Sequence, residues 1–505
     1  MNIALALRRA GLRAPHQVAV RSDGTETTYA ELLDRAGRVA TWLREQGAEP
    51  GQRIGILMHN QPEWLVIMAG IWQAGGTLVP YNYLFHPAAL RHTTVDADVT
   101  WIFAPAEDVP RLRAALAGLP VADRIVSLGA SEEAAVPWSA VLARPSSREV
   151  VPRLDGDDAV LMYTSGSTGT PKGVRQTHRN TAAACEATID IWDLTEQDHA
   201  LVCTPLFHVG GLQLISLPTL LVGGTVTLRR WKVREYLEDA TKLRPTVIAL
   251  VPAMMIDIIN ELNGARFPLD SVRVCAIGGS APPESRLRAL TEATGIVPVN
   301  IYGQTEQSGL AITEPPHEER RPGSLGKPLA QILRVRVVEW TGDAPVDVPV
   351  GEVGELWVRG DAVTPGYWQL PETNATKFVD GWFRTSDLVR QDPDGYLYYV
   401  DRTDDMIISG GENVFPQMVE SYLAACPLVA EVAVIGTPHE RLSHQVTAIV
   451  VPSRPGVTVE DIAAYCESDP NLRGLQRPRR IEIVEVIPRT ATNKVDRPLL
   501  KRTFV

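Results

Sequence analysis

The chain has 505 residues, too many for one compact core, so its length predicts two or more domains. Hydrophobic residues make up 45% and charged residues 22% of the sequence, which is ordinary for a folded protein. The net charge of −11 argues against a general nucleic-acid binder, which would carry a basic surface.

Cysteine spacing and apolar stretches narrow the class further. The five cysteines are widely scattered and form no C-x-x-C pair, which favours buried thiols over a zinc site or a disulfide framework. The most apolar stretch, residues 212–228, contains Pro218 and two adjacent glycines, so a helix, a turn and a strand are expected there rather than a membrane span. We therefore expect a cytoplasmic protein without a membrane span.

The first half of the chain alternates between helix and strand patterns. Thr28 precedes an apolar helical pattern that ends before Gly47, and Pro62 begins a second one that ends at Gly75. Short buried strands are predicted at residues 53–58, 77–81, 244–251, 272–278 and 296–302. This alternation is typical of a layered α/β architecture.

The second half changes in character. After about residue 330 the sequence favours strands, and the last hundred residues predict a small α+β unit. Its strands are expected at residues 430–435, 446–451 and 481–486, with a helix at 459–468. The fold class is therefore predicted to be α/β, with a large N-terminal domain that includes a β-rich part and a small α+β C-terminal domain.

A glycine-rich loop follows the predicted strand that ends at Tyr163. Glycine lets backbone N–H groups approach phosphate oxygens closely, and hydroxyl side chains add donors. The candidate residues are Thr164, Ser165, Gly166, Ser167, Thr168, Gly169, Thr170 and Lys172. No Gly-Lys-Ser/Thr triplet follows, so the loop is not a Walker A motif, and taken alone a flexible turn is the alternative.

Five motifs in sequence order resemble those of one known superfamily. They are YTSGSTGTPKGV (163–174), YGQTE (302–306), RTSDL (384–388), VDRTDDMIISGGENVFP (400–416) and PRTATNKVDR (488–497). Together they resemble the adenylate-forming superfamily, which comprises acyl-CoA synthetases, adenylation domains of peptide synthetases and beetle luciferase. The resemblance covers most of the chain and implies ATP, Mg²⁺ and coenzyme A as cofactors.

The resemblance also implies roles for single residues. The glycine-rich loop would cover the ATP phosphates, with Thr305 touching phosphate and Glu306 holding Mg²⁺, an ion that often takes a single carboxylate plus phosphates and waters. The residues that would hold the adenine, the ribose and the acyl group are Gly278, Gly279, Ser280, Tyr302, Gly303, Asp387 and Arg402.

The C-terminal domain is expected to act as a mobile lid. The resemblance implies an N-terminal domain at residues 1–403 and a lid at residues 404–505, with the hinge near Asp404. Lys494 would bridge the acid and the α-phosphate in the first half-reaction, because a lysine offsets the repulsion between two anions. In the second half-reaction Gly410 and Gly411 would line the tunnel for the thiol.

The segment around His208 favours an acid–CoA ligase over an amino-acid-activating domain, since it lacks the aspartate that pairs with a substrate amine. A catalytic or steering role is predicted for His208, and a packed gating ring is the alternative. The apolar walls expected around it suit a fatty, aryl or polycyclic acid. A homodimer is possible, and the acceptor thiol could be CoA or a carrier-protein pantetheine.

Three positions depart from the usual motifs. Ser386 and Asn493 stand where glycine is usual, and Asp401 replaces the glycine before Arg402. All three flank residues expected to handle ATP. Two alternatives therefore stay open: an acyltransferase that performs only the thioester-forming half-reaction from a preformed acyl-adenylate, and a non-catalytic acyl- or nucleotide-binding relative.

Overall fold

The computed structural model describes residues 2–129, 135–164, 171–279, 284–315, 318, 320–340, 344–403, 405–410, 412–490 and 495–504. Among these residues, no helix has the length and apolar character needed to cross a membrane.

The helices begin and end where capping and helix-breaking residues indicate. Thr28 caps the second helix, with its side chain accepting from Glu31 N while Glu31 accepts from Thr28 N. In chain order the helices are α1 (Ile3–Arg13), α2 (Tyr29–Glu45), α3 (Pro62–Gln73), α4 (Pro87–Asp96), α5 (Val109–Leu116), α6 (Trp138–Leu142), α7 (His178–Ile191), α8 (Leu217–Val222), α9 (Val233–Leu243), α10 (Pro252–Leu262), α11 (Glu284–Thr294), α12 (Pro371–Lys377), α13 (Pro416–Ala424), α14 (Val459–Ser468) and α15 (Arg497–Phe504).

Two mainly parallel sheets, packed with helices, form the first part of the chain. The first contains β3 (Arg53–Ile56), β4 (Thr77–Pro80), β5 (Val99–Pro105), β6 (Ile125–Leu128), β7 (Val136–Pro137), β8 (Asp158–Thr164) and β9 (Lys172–Thr177). Its strand order is β7-β6-β5-β3-β4-β8-β9, and only the β8–β9 pair is antiparallel. The glycine-rich loop connects this last pair, at the edge of the sheet.

The second sheet contains β1 (Val18–Ser22), β2 (Thr25–Thr28), β10 (His199–Val202), β11 (Thr225–Leu228), β12 (Val247–Leu250), β13 (Val274–Ile277), β14 (Val299–Tyr302), β15 (Ile312–Thr313) and β16 (Lys327–Pro328). Its order is β16-β15-β14-β13-β12-β10-β11-β1-β2, with parallel pairing from β14 through β1. The carboxyl ends of β13 and β14 therefore meet at one edge, and they carry Gly278 and Gly303.

Two smaller sheets follow. One is antiparallel and contains β17 (Leu333–Trp340), β18 (Pro345–Asp347), β19 (Val353–Gly360), β20 (Phe378–Val379), β21 (Trp382–Gln391) and β22 (Leu397–Arg402). The other contains β23 (Ile407–Ser409), β24 (Glu412–Val414), β25 (Val429–His439), β26 (Ser443–Pro452) and β27 (Arg480–Ile483). This last sheet packs against α13, α14 and α15.

The hydrophobic cores divide the chain into a large and a small part. Three core clusters reach no further than Tyr399, whereas two others contain only residues from Ile407 onward. The predicted fold class, a large α/β domain with a β-rich part followed by a small α+β domain, is confirmed. The predicted strand at residues 244–251 begins only at Val247, because Arg244 ends α9 with a φ of 49°.

The five cysteines, Cys185, Cys203, Cys275, Cys426 and Cys466, are all buried and free, as predicted. Burial raises the pKa of Cys275 to about 12 and the pKa of Cys466 to about 11. The thiols of Cys275 and Cys466 therefore stay protonated near neutral pH.

Candidate active site

The glycine-rich loop is carried by the β8–β9 hairpin. Thr164 lies opposite Lys172 in the antiparallel ladder, so the two described ends of the loop are side by side. Next to the loop, the Tyr163 hydroxyl donates a 2.5 Å hydrogen bond to Asp96 Oδ2. The residues of the loop itself lie outside the described residues, namely Ser165, Gly166, Ser167, Thr168, Gly169 and Thr170.

A short stretch before α12 joins this hairpin to Glu306. Trp368 N donates to Gly173 O at 2.7 Å, and Thr364 N donates to Glu306 O at 2.8 Å. The Tyr367 hydroxyl donates to Glu306 Oε1 at 2.7 Å. Burial and the Glu306 carboxylate raise the pKa of Tyr367, so its hydroxyl keeps its proton and remains a donor. The candidate magnesium ligand is therefore fixed against the strand that carries Lys172.

Asp387 brings together the residues predicted to hold the nucleoside. The Tyr302 hydroxyl and Gln304 Nε2 each donate to Asp387 Oδ2 at 2.6 Å. Arg402 faces Asp387 across the β21–β22 pair, with its guanidinium 3.6 Å from Oδ1. Asp387 is only 3% exposed, and burial together with its carboxylate raises the pKa of Tyr302. Residues from three distant motifs thus converge on one buried carboxylate.

A bulge in β21 directs this carboxylate. The pairing of β19 with β21 shifts register at this point, and Ser386 has a φ of 63°. The buried Glu355 side chain accepts hydrogen bonds from Ser386 N at 3.2 Å and from Arg384 at 3.0 Å. The Ser386 hydroxyl also accepts from Lys377. Ser386 therefore adopts a backbone conformation that glycine takes readily, which explains why a glycine suits this position.

Glycine is required at the ends of β13 and β14. A Cβ on Gly303 would lie 1.5 Å from Gly309 O, and a Cβ on Gly278 would lie 2.5 Å from Ile301 Cγ1. Contacts this short leave no room for any side chain. Both glycines therefore allow the turn after β14 to close over the end of the sheet, where Tyr302 and Glu306 are placed.

The segment around His208 is held by neighbouring side chains. Asn60 Nδ2 donates to Thr204 O at 2.9 Å, and Asn60 Oδ1 accepts from Leu206 N at 2.9 Å. The Phe207 ring lies 4.5 Å from the His208 ring, centroid to centroid. His208 is half-buried and is followed by a π-helical turn, Leu212–Ser216, a type of distortion common at functional sites.

Apolar side chains lie next to glycines that follow β13 and β14. A Cβ on Gly309 would lie 3.9 Å from Val209 Cβ, and a Cβ on Gly279 would lie 3.7 Å from Val251 Cγ1. A Cβ on Gly210 would meet nothing within 4 Å, so space is open beside His208. Ser280, also predicted here, lies outside the described residues.

Two sequence models of known families match the chain. The AMP-binding enzyme model matches residues 7–368, and the model of the AMP-binding enzyme C-terminal domain matches residues 418–494. The chain belongs to the AMP-binding enzyme family. The predicted membership of the adenylate-forming superfamily is thereby confirmed.

Relatives of this AMP-binding enzyme are similar over almost their whole length. A feruloyl-CoA synthase from an Amycolatopsis species is 35% identical over 99% of this chain and 98% of its own. ATP-bound MatB from Rhodopseudomonas palustris has a TM-score of 0.91 at 28% identity, covering 100% of this chain and 99% of its own. The anthranilate CoA ligase AuaEII in complex with anthranoyl-AMP has a TM-score of 0.91 at 26% identity, covering 100% and 97%.

The small domain of this AMP-binding enzyme carries the remaining predicted residues. Gly410 has a φ of 57°, and its N–H donates to Leu442 O at 2.8 Å. Lys494, the hinge residue Asp404 and Gly411 lie outside the described residues. Just after Lys494, Arg497 anchors the chain through ion pairs of 2.8 Å to Glu420 and 3.5 Å to Asp405.

The arrangement around Glu306 suits a hard cation that is shared with phosphate. Within the described ranges, no group of three or more His, Cys, Asp or Glu side chains is placed to hold a metal by itself. Glu306 Oε1 accepts from Tyr367, while its Oε2 has no hydrogen bond or ion pair to any described residue. One carboxylate oxygen is thus available beside the phosphate-loop hairpin, as a Mg²⁺ site completed by phosphates and waters requires.

Sequence reasoning missed several residues that support this site. Three side chains hold residues of the motifs by hydrogen bonds: Tyr367 holds Glu306, Asp96 holds Tyr163, and Glu355 holds Ser386. Gln176 does so from β9, by donating to the carbonyl oxygen of Thr305. None of these contacts is local in sequence, so no short motif signals them.

Proposed function

We propose that this chain is an AMP-forming carboxylic acid–CoA ligase that acts on an aromatic acid. The observation that carries the proposal is that Tyr302 and Arg402, from separate motifs, converge on Asp387, while Tyr367 ties Glu306 to the hairpin of the glycine-rich loop. The ligase class, with ATP, Mg²⁺ and CoA, agrees with the chain's family and with its relatives. A cytoplasmic location and a homodimer remain predictions.

In the first half-reaction a carboxylate oxygen attacks the α-phosphorus of ATP. The bond from that phosphorus to the bridging oxygen breaks, and pyrophosphate leaves with its electron pair. Asp387 and Arg402 hold the ribose, while Thr305 and Lys172 contact phosphate oxygens. Mg²⁺ bound by Glu306 would offset phosphate charge, and Lys494 would bring the two anions together.

In the second half-reaction the thiolate of CoA attacks the acyl carbonyl carbon. The carbon–oxygen bond to phosphate breaks, AMP leaves, and the sum is acid, ATP and CoA giving acyl-CoA, AMP and pyrophosphate. Gly410 would line the tunnel for the pantetheine arm, at a position whose φ of 57° favours glycine. The separate cores on either side of residue 404 support a lid that rotates between the half-reactions.

An aromatic acid fits the walls of the candidate pocket better than a small charged acid. The wall beside His208 combines the Phe207 ring with Val209 and the open space next to Gly210. Flat rings suit such glycine-bordered apolar space. Two of the relatives named above are, by their names, ligases of aromatic acids.

Mass spectrometry of the purified protein tests the proposal. The protein is incubated with ATP, Mg²⁺ and a pooled panel of aromatic, fatty and short dicarboxylic acids, with and without CoA. AMP and an aryl-CoA appearing together are the expected result. Thioesters of the fatty acids alone would overturn the aromatic assignment. If product forms only from a supplied acyl-adenylate, the first half-reaction is absent and the ligase proposal fails.

A further inference from the structure

Two buried glutamines link the candidate acyl pocket to the candidate magnesium turn. Gln213 Nε2 donates to Gln176 Oε1 at 2.6 Å, and Gln176 Nε2 donates to Thr305 O at 2.9 Å. The direction of this amide chain is fixed because a backbone carbonyl can only accept. Both glutamine side chains are 0% exposed.

Each member of the amide chain belongs to a different part of the site. Gln176 lies on β9, four residues after Lys172, and Gln213 lies in the π-helical turn that follows His208. Thr305 begins the short turn that contains Glu306. The amide chain therefore connects the strand of the phosphate loop, the acyl wall and the magnesium turn within two hydrogen bonds.

Stability alone does not account for this pair. Gln213 Oε1 is buried and has no hydrogen-bond partner among the described residues, which is a cost to the folded state. Two apolar side chains of similar shape would fill the same space without that cost. An amide pair at this place is better explained by the geometry it imposes on the carbonyl of Thr305.

Other hydrogen bonds also hold this turn: Ser308 N donates to Thr305 O at 3.1 Å, and Gln304 Nε2 donates to Asp387 Oδ2 at 2.6 Å. Gln304 N donates to Gln307 Oε1 at 3.2 Å, and Thr364 N donates to the carbonyl of Glu306 at 2.8 Å. The Gln176 bond is the one that fixes Thr305 itself to the phosphate-loop strand. A shift of this carbonyl would move the Thr305 hydroxyl and the Glu306 carboxylate together.

We infer that Gln176 and Gln213 are positioning residues for the adenylation half-reaction, acting through the Thr305–Glu306 turn. The inference rests on the proposed function. The amide chain sets the turn so that its side chains meet the phosphates in the orientation that transfer requires, and it has no role in thioester formation. A misplacement of about 1 Å can lower a rate on the order of a hundredfold.

Near-isosteric variants test this inference. Gln176→Met and Gln213→Met keep the volume and remove the amides. Adenylation is measured as acid-dependent exchange of pyrophosphate into ATP, and thioester formation is measured from a synthetic acyl-adenylate and CoA. We expect each variant to lower the kcat of adenylation about 10- to 100-fold and to leave thioester formation within about twofold.

A double variant and a matched control separate positioning from stability. Because the two amides act in series, the double variant is expected to be no slower in adenylation than Gln176→Met, and no less stable than either single variant. Gln73→Met is the control. Gln73 is the last residue of α3, is 5% exposed, and donates a hydrogen bond from its Nε2 to Ser147 O at 2.7 Å, outside the candidate site. It is expected to change neither half-reaction.

Several results would overturn the inference. Equal losses in both half-reactions would show a general structural role, and an unchanged adenylation rate in Gln176→Met would show that the amide chain positions nothing. A wild-type protein that forms no adenylate from any acid is a different outcome, because it refutes the proposed function itself.

Discussion

Replacing Ser386 by glycine and by alanine is expected to show that this residue holds a left-handed backbone. Ser386 has a φ of 63° in the bulge that orients Asp387. Both variants lose the hydroxyl that accepts from Lys377, so their difference reports only the backbone. At an ordinary buried position alanine is the more stable of the two, by roughly 0.5–1 kcal/mol.

The magnitude follows from two opposing effects. A residue with a Cβ in the left-handed region costs about 1–2 kcal/mol, which glycine avoids. Glycine loses roughly 0.5–1 kcal/mol more conformational entropy on folding than alanine does. The glycine variant is therefore expected to be the more stable, by roughly 0–1.5 kcal/mol and by about 0.75 kcal/mol at the middle of both ranges.

Urea unfolding followed by tryptophan fluorescence measures this difference. With an m value of about 3 kcal/mol per molar urea, the midpoint of Ser386→Gly should lie roughly 0.2–0.3 M above that of Ser386→Ala. Ser127 is the matched control, because it is 1% exposed on β6 and has no positive φ. There the order should be reversed. A lower midpoint for Ser386→Gly than for Ser386→Ala would refute the reasoning.

Four further predictions concern the candidate site and the domain joint. Asp387→Asn should raise the KM for ATP about 10- to 100-fold, because charge-assisted hydrogen bonds are lost. Steady-state kinetics should show that the KM for CoA stays within twofold. Gly303→Ala should prevent soluble expression, because its Cβ would meet Gly309 O at 1.5 Å; normal yield would contradict this. Lys494→Ala should abolish pyrophosphate exchange but retain thioester formation from a supplied acyl-adenylate; equal loss of both would contradict its proposed role. Burial raises the pKa of Asp401 from 3.8 to about 6, so the native state keeps a proton that the unfolded chain loses, and stability should fall by about 2 kcal/mol as pH rises from 4 to 6. Asp401→Asn should flatten that slope in urea titrations at different pH, and an unchanged slope would exclude Asp401 as its source.

Local patterns in the sequence predicted individual elements well. The helix over residues 459–468 is found with those bounds, because Thr458 caps it and its apolar spacing is regular. The helix after Thr28 is confirmed for the same reason. The first predicted strand, residues 53–58, pairs only as far as Ile56, since apolar composition alone does not show where a ladder ends.

The site was predictable only in part. Motif resemblance indicated Tyr302, Asp387 and Arg402, and the structure places their side chains together. It did not indicate Gln176 or Tyr367, whose contacts with the Thr305–Glu306 turn span 129 and 61 residues of sequence. Such contacts depend on how the sheets pack, which periodicity and spacing do not encode.

The burial of every cysteine makes the chain a convenient background for site-specific labelling. Maleimide reagents need an accessible thiolate, and none of the five native thiols offers one. New cysteines at Leu154 and Val486, which are 76% and 72% exposed, would place one dye on the large part of the chain and one on the small part. Energy transfer between those two dyes would then report whether the distance between the two parts changes with the ligand, as the proposed lid motion requires, without first having to remove any native cysteine.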